Sequence, residues 1–103
     1  NFTRGSLHGG VISSVLDVVG GLVAFIALLN REGVQSLEDE ADKFSRLGTI
    51  DLRVDYLRPG LGGTFSAKGF VLRAGRKVAV TRMELHNAEE YMISVGKGAY
   101  SIS

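Results

Sequence analysis

The segment from Val11 to Leu29 constrains this chain more than any other. It is apolar almost throughout, broken only by Ser13, Ser14, Asp17, Gly20 and Gly21. Such a run either crosses a membrane or becomes the spine on which everything else packs. Length alone permits the first, since ~17–25 apolar residues span a bilayer. Asp17 argues against it, because a carboxylate at mid-span costs ~2.5–3.5 kcal/mol even on insertion scales. The uninterrupted part, Val18 to Leu29 with its two glycines, is twelve residues, the length of a buried core helix. The expectation is therefore a core helix and no membrane partner.

Wound as a helix, the segment has two faces. Gly10, Ser13, Ser14, Asp17, Gly20, Gly21 and Ala24 follow at spacings of three and four, a stripe of small residues around one carboxylate. Val11, Val15, Val18, Leu22, Phe25, Ile26 and Leu29 make the bulky side. Both faces are mostly apolar, so the helix should be enclosed rather than half exposed.

Asn30 to Leu47 is polar and reads as a connector, with Gly33 as a helix stop and one helical turn around Leu37 to Phe44. Beyond it the hydrophobic period falls to two. Ile50 to Tyr56 alternates apolar and charged residues strictly, and Arg58-Pro59-Gly60 ends that strand before a turn at Gly62-Gly63. Thr64 to Arg73 and Lys77 to His86 are joined by a turn at Ala74-Gly75-Arg76. Asn87 to Glu90 turns again into a last strand, Tyr91 to Ser101. One long helix followed by four strands in succession, linked by hairpin-like turns or short loops, points to class α+β: an antiparallel sheet on a single helix, one domain over residues 1–103.

Composition removes several functions. Twelve Lys+Arg against eleven Asp+Glu leave +1, too balanced for a nucleic-acid binder led by electrostatics. The absence of cysteine excludes disulfides, thiolate zinc sites and a cysteine nucleophile, and it fits a cytoplasmic protein. Two histidines, His8 and His86, make no metal site without carboxylates to complete it. Fourteen glycines against one proline stand out, glycine being about twice its usual ~7% share.

Chemistry concentrates in His8-Gly9-Gly10-Val11-Ile12-Ser13-Ser14-Val15-Leu16-Asp17. Free N–H groups and the positive dipole end at a helix N-terminus attract an anion or a polarised carbonyl oxygen. Glycines there let a substrate approach the backbone. An aspartate inside an apolar helix is costly to desolvate and is poorly explained by stability alone. His8 either takes part directly or hydrogen-bonds nearby backbone.

His8-Gly9-Gly10 with Asp17 at this spacing resembles the active-site segment of the PaaI-like hotdog thioesterases. The resemblance extends to Thr49–Pro59 as that family's second strand, to Val71–Val80 as its basic Gly-Arg hairpin, and to a last strand ending near Gly98-Ala99-Tyr100. It covers the chain from Leu7 onward and lacks the element that usually precedes the motif; with Asn1 rather than Met at the start, residues upstream are expected to be missing. The resemblance implies a hotdog fold, with an antiparallel sheet wrapped around one long buried helix. It implies hydrolysis of acyl-CoA thioesters by a homodimer or homotetramer. It implies no metal or other cofactor, coenzyme A entering only as part of the substrate. It assigns general base or nucleophile to Asp17 and the carbonyl-polarising amide to Gly9, counting His8 in the catalytic set. Thr49 would position water or substrate, and Gly10 would give the substrate room. Arg73, Gly75, Arg76 and Lys77 would meet CoA phosphates. Phe25, Phe65, Phe70, Tyr56 and Met83 would line an acyl pocket or serve as core.

Geometry adds one inference. Gly9 and Asp17 are eight positions apart, ~12 Å along one helix at 1.5 Å per residue. An oxyanion donor must lie within ~3 Å of the carbonyl oxygen, and the base within one water of its carbon. A site using both residues must take Gly9 from one chain and Asp17 from another. A non-catalytic acyl-CoA binder using the same groove is the alternative.

Overall fold

The computed structural model describes residues 9–33, 36–61 and 63–102. His8 and Gly62 lie outside the described residues. Helix α1 spans Gly9–Glu32, and α2 spans Leu37–Arg46. Four strands follow: β1 (Gly48–Tyr56), β2 (Phe65–Ala74), β3 (Val78–Asn87) and β4 (Met92–Ser101).

Helix α1 stops where the glycine allows it. Gly33 has φ +79°, and its N–H bonds back to Leu29 O at 2.7 Å, closing the last turn through a left-handed residue. The connector holds more helix than the single turn expected, the ten residues of α2. Ser36 caps it, its side chain accepting from Asp39 N at 3.1 Å. Glu38, Asp39 and Glu40 lie in the first turn and Lys43 and Arg46 in the last, each sign at the dipole end that favours it. Phe44 anchors α2 edge-on against Phe25 of α1, ring centroids 5.1 Å apart.

The sheet is antiparallel with strand order β1-β4-β3-β2. The hairpins β2–β3 and β3–β4 form as the turns predict. Strand β1 does not pair with β2; it lies beside β4, and the chain crosses to the opposite edge before β2 begins. Pro59 and Gly60 mark where β1 stops, but carry no information about the next partner. Eight residues, 57–64, connect the two; at ~3.3 Å each they easily cover the ~14 Å of three inter-strand spacings.

Every fourth residue of α1 is buried against the sheet. Ile12 and Leu16 meet Met83, Leu85 and Ile93, while Ala24 and Leu28 meet Ala79, Tyr100 and Ile102. Met83 is fully buried, and Phe65 packs against the first cluster, so both serve as core. Gly69 lets β2 close under α1, since a Cβ there would lie 2.9 Å from Val19 Cγ1. Phe70, the next residue, therefore points to the opposite face of the sheet, away from the helix. Enclosure of α1 is partial within one chain. Val18, Leu22 and Ile26 are 62%, 46% and 53% exposed, because four strands lie on one side only. Helix α1 is long and apolar enough to span a bilayer, yet this chain uses one face of it as the sheet's core.

The outer face of the sheet carries a short polar chain along β3. Glu84 accepts from His86 Nε2 at 2.9 Å and from Arg82 Nε at 3.0 Å. The His86 bond, with Arg82 assisting, holds the Glu84 carboxyl below its usual range against the opposing effect of burial. A carboxyl depressed in the folded state contributes stability above its unfolded value, and loses it as pH falls through the folded one. Wild type should therefore melt above Glu84→Gln at neutral pH, and the gap should close in acid. Thermal melts near pH 7 and about pH 3 check this; an unchanged gap would refute the assignment.

Candidate functional site

One side of α1, the one turned toward β1, gathers the residues of interest. Gly9, Ser13, Asp17, Gly21 and Phe25 follow at intervals of four, each about 40° around the helix from the last, a slow spiral that keeps pace with the twist of the sheet. Their contacts agree: Gly9 and Ser13 meet Tyr56, Asp17 meets Thr49, Gly21 faces Leu47 and Phe25 meets Phe44.

Asp17 is held at one oxygen. Thr49 Oγ1 donates to its Oδ1 at 2.9 Å, which brings together two residues selected from sequence on separate elements. A strict two-residue alternation would turn Ile50 inward and Thr49 outward. Instead the register with β4 shifts between Thr49 and Asp51. That bulge leaves Ile50 59% exposed and turns Thr49 toward the helix.

The second donor to Asp17 is Tyr100, a residue the sequence reading placed only as the end of the last strand. Its hydroxyl lies 3.1 Å from Asp17 Oδ1 and 3.1 Å from the Asp17 carbonyl, a proton shared between two acceptors. The ring is buried between two glycines. A Cβ on Gly20 would collide with the Tyr100 hydroxyl and lie 2.8 Å from its Cζ; one on Gly98 would lie 2.6 Å from Cε2. Burial above all, then the hydrogen bond and charge of Asp17, push the Tyr100 phenol well above its ordinary range. It stays protonated and can only donate to the carboxylate. The glycine pair flanking a tyrosine is the signal that sequence carried, visible only once helix and strand are superposed.

The N-terminus of α1 is fixed by a second tyrosine. Tyr56 O–H donates to Gly9 O at 2.9 Å and also contacts Ser13 Oγ. Having one proton, Tyr56 accepts from Ser13. The last residue of β1 thereby ties down the first turn of α1, whose N–H groups have no intrahelical acceptor. A shallow cleft of about 390 Å³ opens there, lined by Gly9, Ile12, Tyr56, Leu57, Arg58, Pro59 and Gly60. Gly9 and Asp17 belong to one continuous helix, so ~12 Å of axis separates them.

The basic turn sits elsewhere. Gly75 N bonds Val78 O at 2.9 Å, and the Arg31 guanidinium, in the last turn of α1, donates to Gly75 O and Arg76 O. Arg73, Arg76 and Lys77 are exposed. Fourteen residues of helix separate Arg31 from Asp17, ~21 Å at 1.5 Å each. The structure thus brings Asp17 and Thr49 together, holds Gly9 and Gly10 a short helix length away, and sets the basic residues at the far end.

Comparison with known proteins matches residues 4–94 to the thioesterase superfamily. The chain is 50% identical over 102 residues to the medium/long-chain acyl-CoA thioesterase YigI of Escherichia coli, covering 99% of this chain and 66% of that protein. It spans just under two thirds of the length of such curated relatives. A crystal structure from Shewanella oneidensis, related to the thioesterase superfamily, superposes with a TM-score of 0.88 at 50% identity, over 95% of this chain and 64% of that one. A Bacillus halodurans protein solved with CoA shares the fold, with a TM-score of 0.71 at 21% identity over 95% of this chain and 56% of its own. With a helix-backed antiparallel sheet, a motif at the helix start and half its residues shared with such relatives, this chain belongs to the thioesterase superfamily and has its hotdog fold.

Proposed function

We propose that the chain hydrolyses acyl-CoA thioesters at a site shared between two copies. The observation that carries this reading is the Asp17 carboxylate, fixed at Oδ1 by hydroxyl donors, on the same helix face as Gly9 but ~12 Å from it. Oδ1 is committed to its donors, so Oδ2 faces the reaction. In the shared site Asp17 takes a proton from water, which attacks the thioester carbonyl carbon. The oxyanion is received by the Gly9 N–H of the other copy. Collapse breaks the carbon–sulfur bond, and the leaving thiolate takes the proton from Asp17, giving free acid and CoA thiol. Thr49 keeps the carboxylate turned toward the water. Oδ2 acting as nucleophile would use the same geometry, forming an acyl-enzyme anhydride that water then cleaves.

Edge strand β1 supports the two-copy arrangement. Among the described residues no strand pairs with its outer edge, and Ile50 and Tyr56 are 59% and 52% exposed; an open edge beside the site invites a second copy. The assembly in this reading is a PaaI-like homodimer or homotetramer in the cytoplasm, working without a metal or redox cofactor. The relatives named for medium- and long-chain acyl-CoA, and those solved with CoA or acetyl CoA, favour the same substrate class.

Thiol release from a panel running from acetyl-CoA to palmitoyl-CoA tests the reading. Turnover should be greatest for medium or long chains. Tight binding without release at any length would replace hydrolysis by carriage or sensing. The basic turn gives a finer expectation. Arg76→Ala should raise KM for acyl-CoA by ~3–10-fold with kcat held, through lost phosphate contacts. Acyl-pantetheine, which lacks those phosphates, should show no difference.

A further inference from the structure

We infer that Tyr100 is a positioning residue for Asp17, aimed by two glycine notches that admit its ring between α1 and β4. The inference rests on the reading of Asp17 as the reacting carboxylate, and three observations carry it. Tyr100 is the largest fully buried side chain among the described residues, 1% exposed, yet its hydroxyl emerges at Asp17 Oδ1 and the Asp17 carbonyl, 3.1 Å from each. Packing alone does not call for a hydroxyl here; phenylalanine would fill the same slot. Both surfaces over the ring are cut away, Gly20 on the helix and Gly98 on the strand, and a Cβ at either would strike it. The slot has one purpose that its shape explains, delivery of a donor to the underside of α1 at the height of Asp17.

The consequence is a division of labour at the carboxylate. Thr49 reaches Oδ1 from β1, the edge strand, where Thr49 itself is exposed. Tyr100 reaches the same oxygen from β4, inside the sheet, where its ring is buried. The buried donor sets the orientation and the exposed one refines it. Because the phenol is held protonated by its surroundings, it does not exchange protons with the carboxylate; its effect on the reaction is geometric and electrostatic.

Tyr100→Phe in the full chain keeps the ring and deletes the donor. The expected result is a ~10-fold fall in kcat with KM within a factor of two, as a mis-set reacting group produces. A second readout does not need turnover: the chemical shift of the Asp17 carboxyl carbon in NMR at about pH 7. Loss of the hydroxyl that lies 3.1 Å from Asp17 Oδ1 should move that signal in Tyr100→Phe. Loss of kcat with an unmoved signal would make Tyr100 a packing residue only and overturn the inference, as would two unchanged readouts. If wild type shows no thioester hydrolysis, the proposed function fails by itself, and the carboxyl signal still decides whether Tyr100 governs Asp17. Should the phenylalanine variant not fold, 3-fluorotyrosine at Tyr100 keeps the packing and strengthens the donor; the carboxyl signal should then move, and an unchanged one would count against the inference.

Discussion

Asp17→Asn should lower kcat on acyl-CoA by ~10²–10⁴-fold, the usual contribution of a positioned general base. The substitution is nearly isosteric, and the geometry explains why it isolates the chemistry. Asparagine keeps an oxygen where Oδ1 accepts from Thr49 and Tyr100, so the side chain retains its orientation. What replaces Oδ2 is an amide nitrogen with no capacity to take a proton from water. kcat and kcat/KM should fall together, because the lost interaction belongs to the transition state rather than to substrate binding. Steady-state thiol release gives both constants, and a thermal melt of each protein guards against a folding artefact. Equal rates in the two proteins would remove Asp17 from the reaction and leave the binding reading standing.

The parts of this site that were legible in sequence are those that local pattern controls. The helix, its small-residue stripe and the odd carboxylate follow from spacing within Val11–Leu29, and the strands from a period of two. The α2 helix was under-read because its charged residues hide a capped, dipole-matched segment, although Ser36 and Asp39 carry the cap signal in plain view. Other features depend on contacts that no local pattern encodes. Asp17 and Tyr100 are 83 positions apart, and only the β1-β4-β3-β2 order brings β4 under that turn of α1. Resemblance selects Thr49, which stands 2.9 Å from Asp17 Oδ1, but alternation alone assigns it the wrong face. The bulge before Asp51 reverses the phase at that point. Enclosure of α1 was over-read for a related reason: Val18, Leu22 and Ile26 are apolar on a side this chain leaves open, and hydrophobicity does not say whose surface will cover it.

Gly9→Pro should be nearly as damaging as the loss of Asp17, and it tests the two-copy site directly. Gly9 is the first residue of α1, the one helical position where proline fits, since the amide there has no intrahelical partner. The substitution deletes the N–H proposed to meet the oxyanion while leaving the helix able to start, and a lost oxyanion donor costs ~10²–10³ in kcat. Gly9→Ala is the control. Its Cβ would lie 3.7 Å from the Tyr56 ring, ordinary contact distance, and it keeps the amide, so activity should persist. Mixing then separates the two architectures. Asp17→Asn and Gly9→Pro are each inactive as homodimers, and are co-refolded in equal amounts. About half the dimers pair unlike chains, and in each of these one site collects both lesions while the other is intact, restoring about a quarter of wild-type activity. If Gly9 and Asp17 served one site within a single chain, every site in the mixture would carry one lesion. No recovery would then be seen at any mixing ratio.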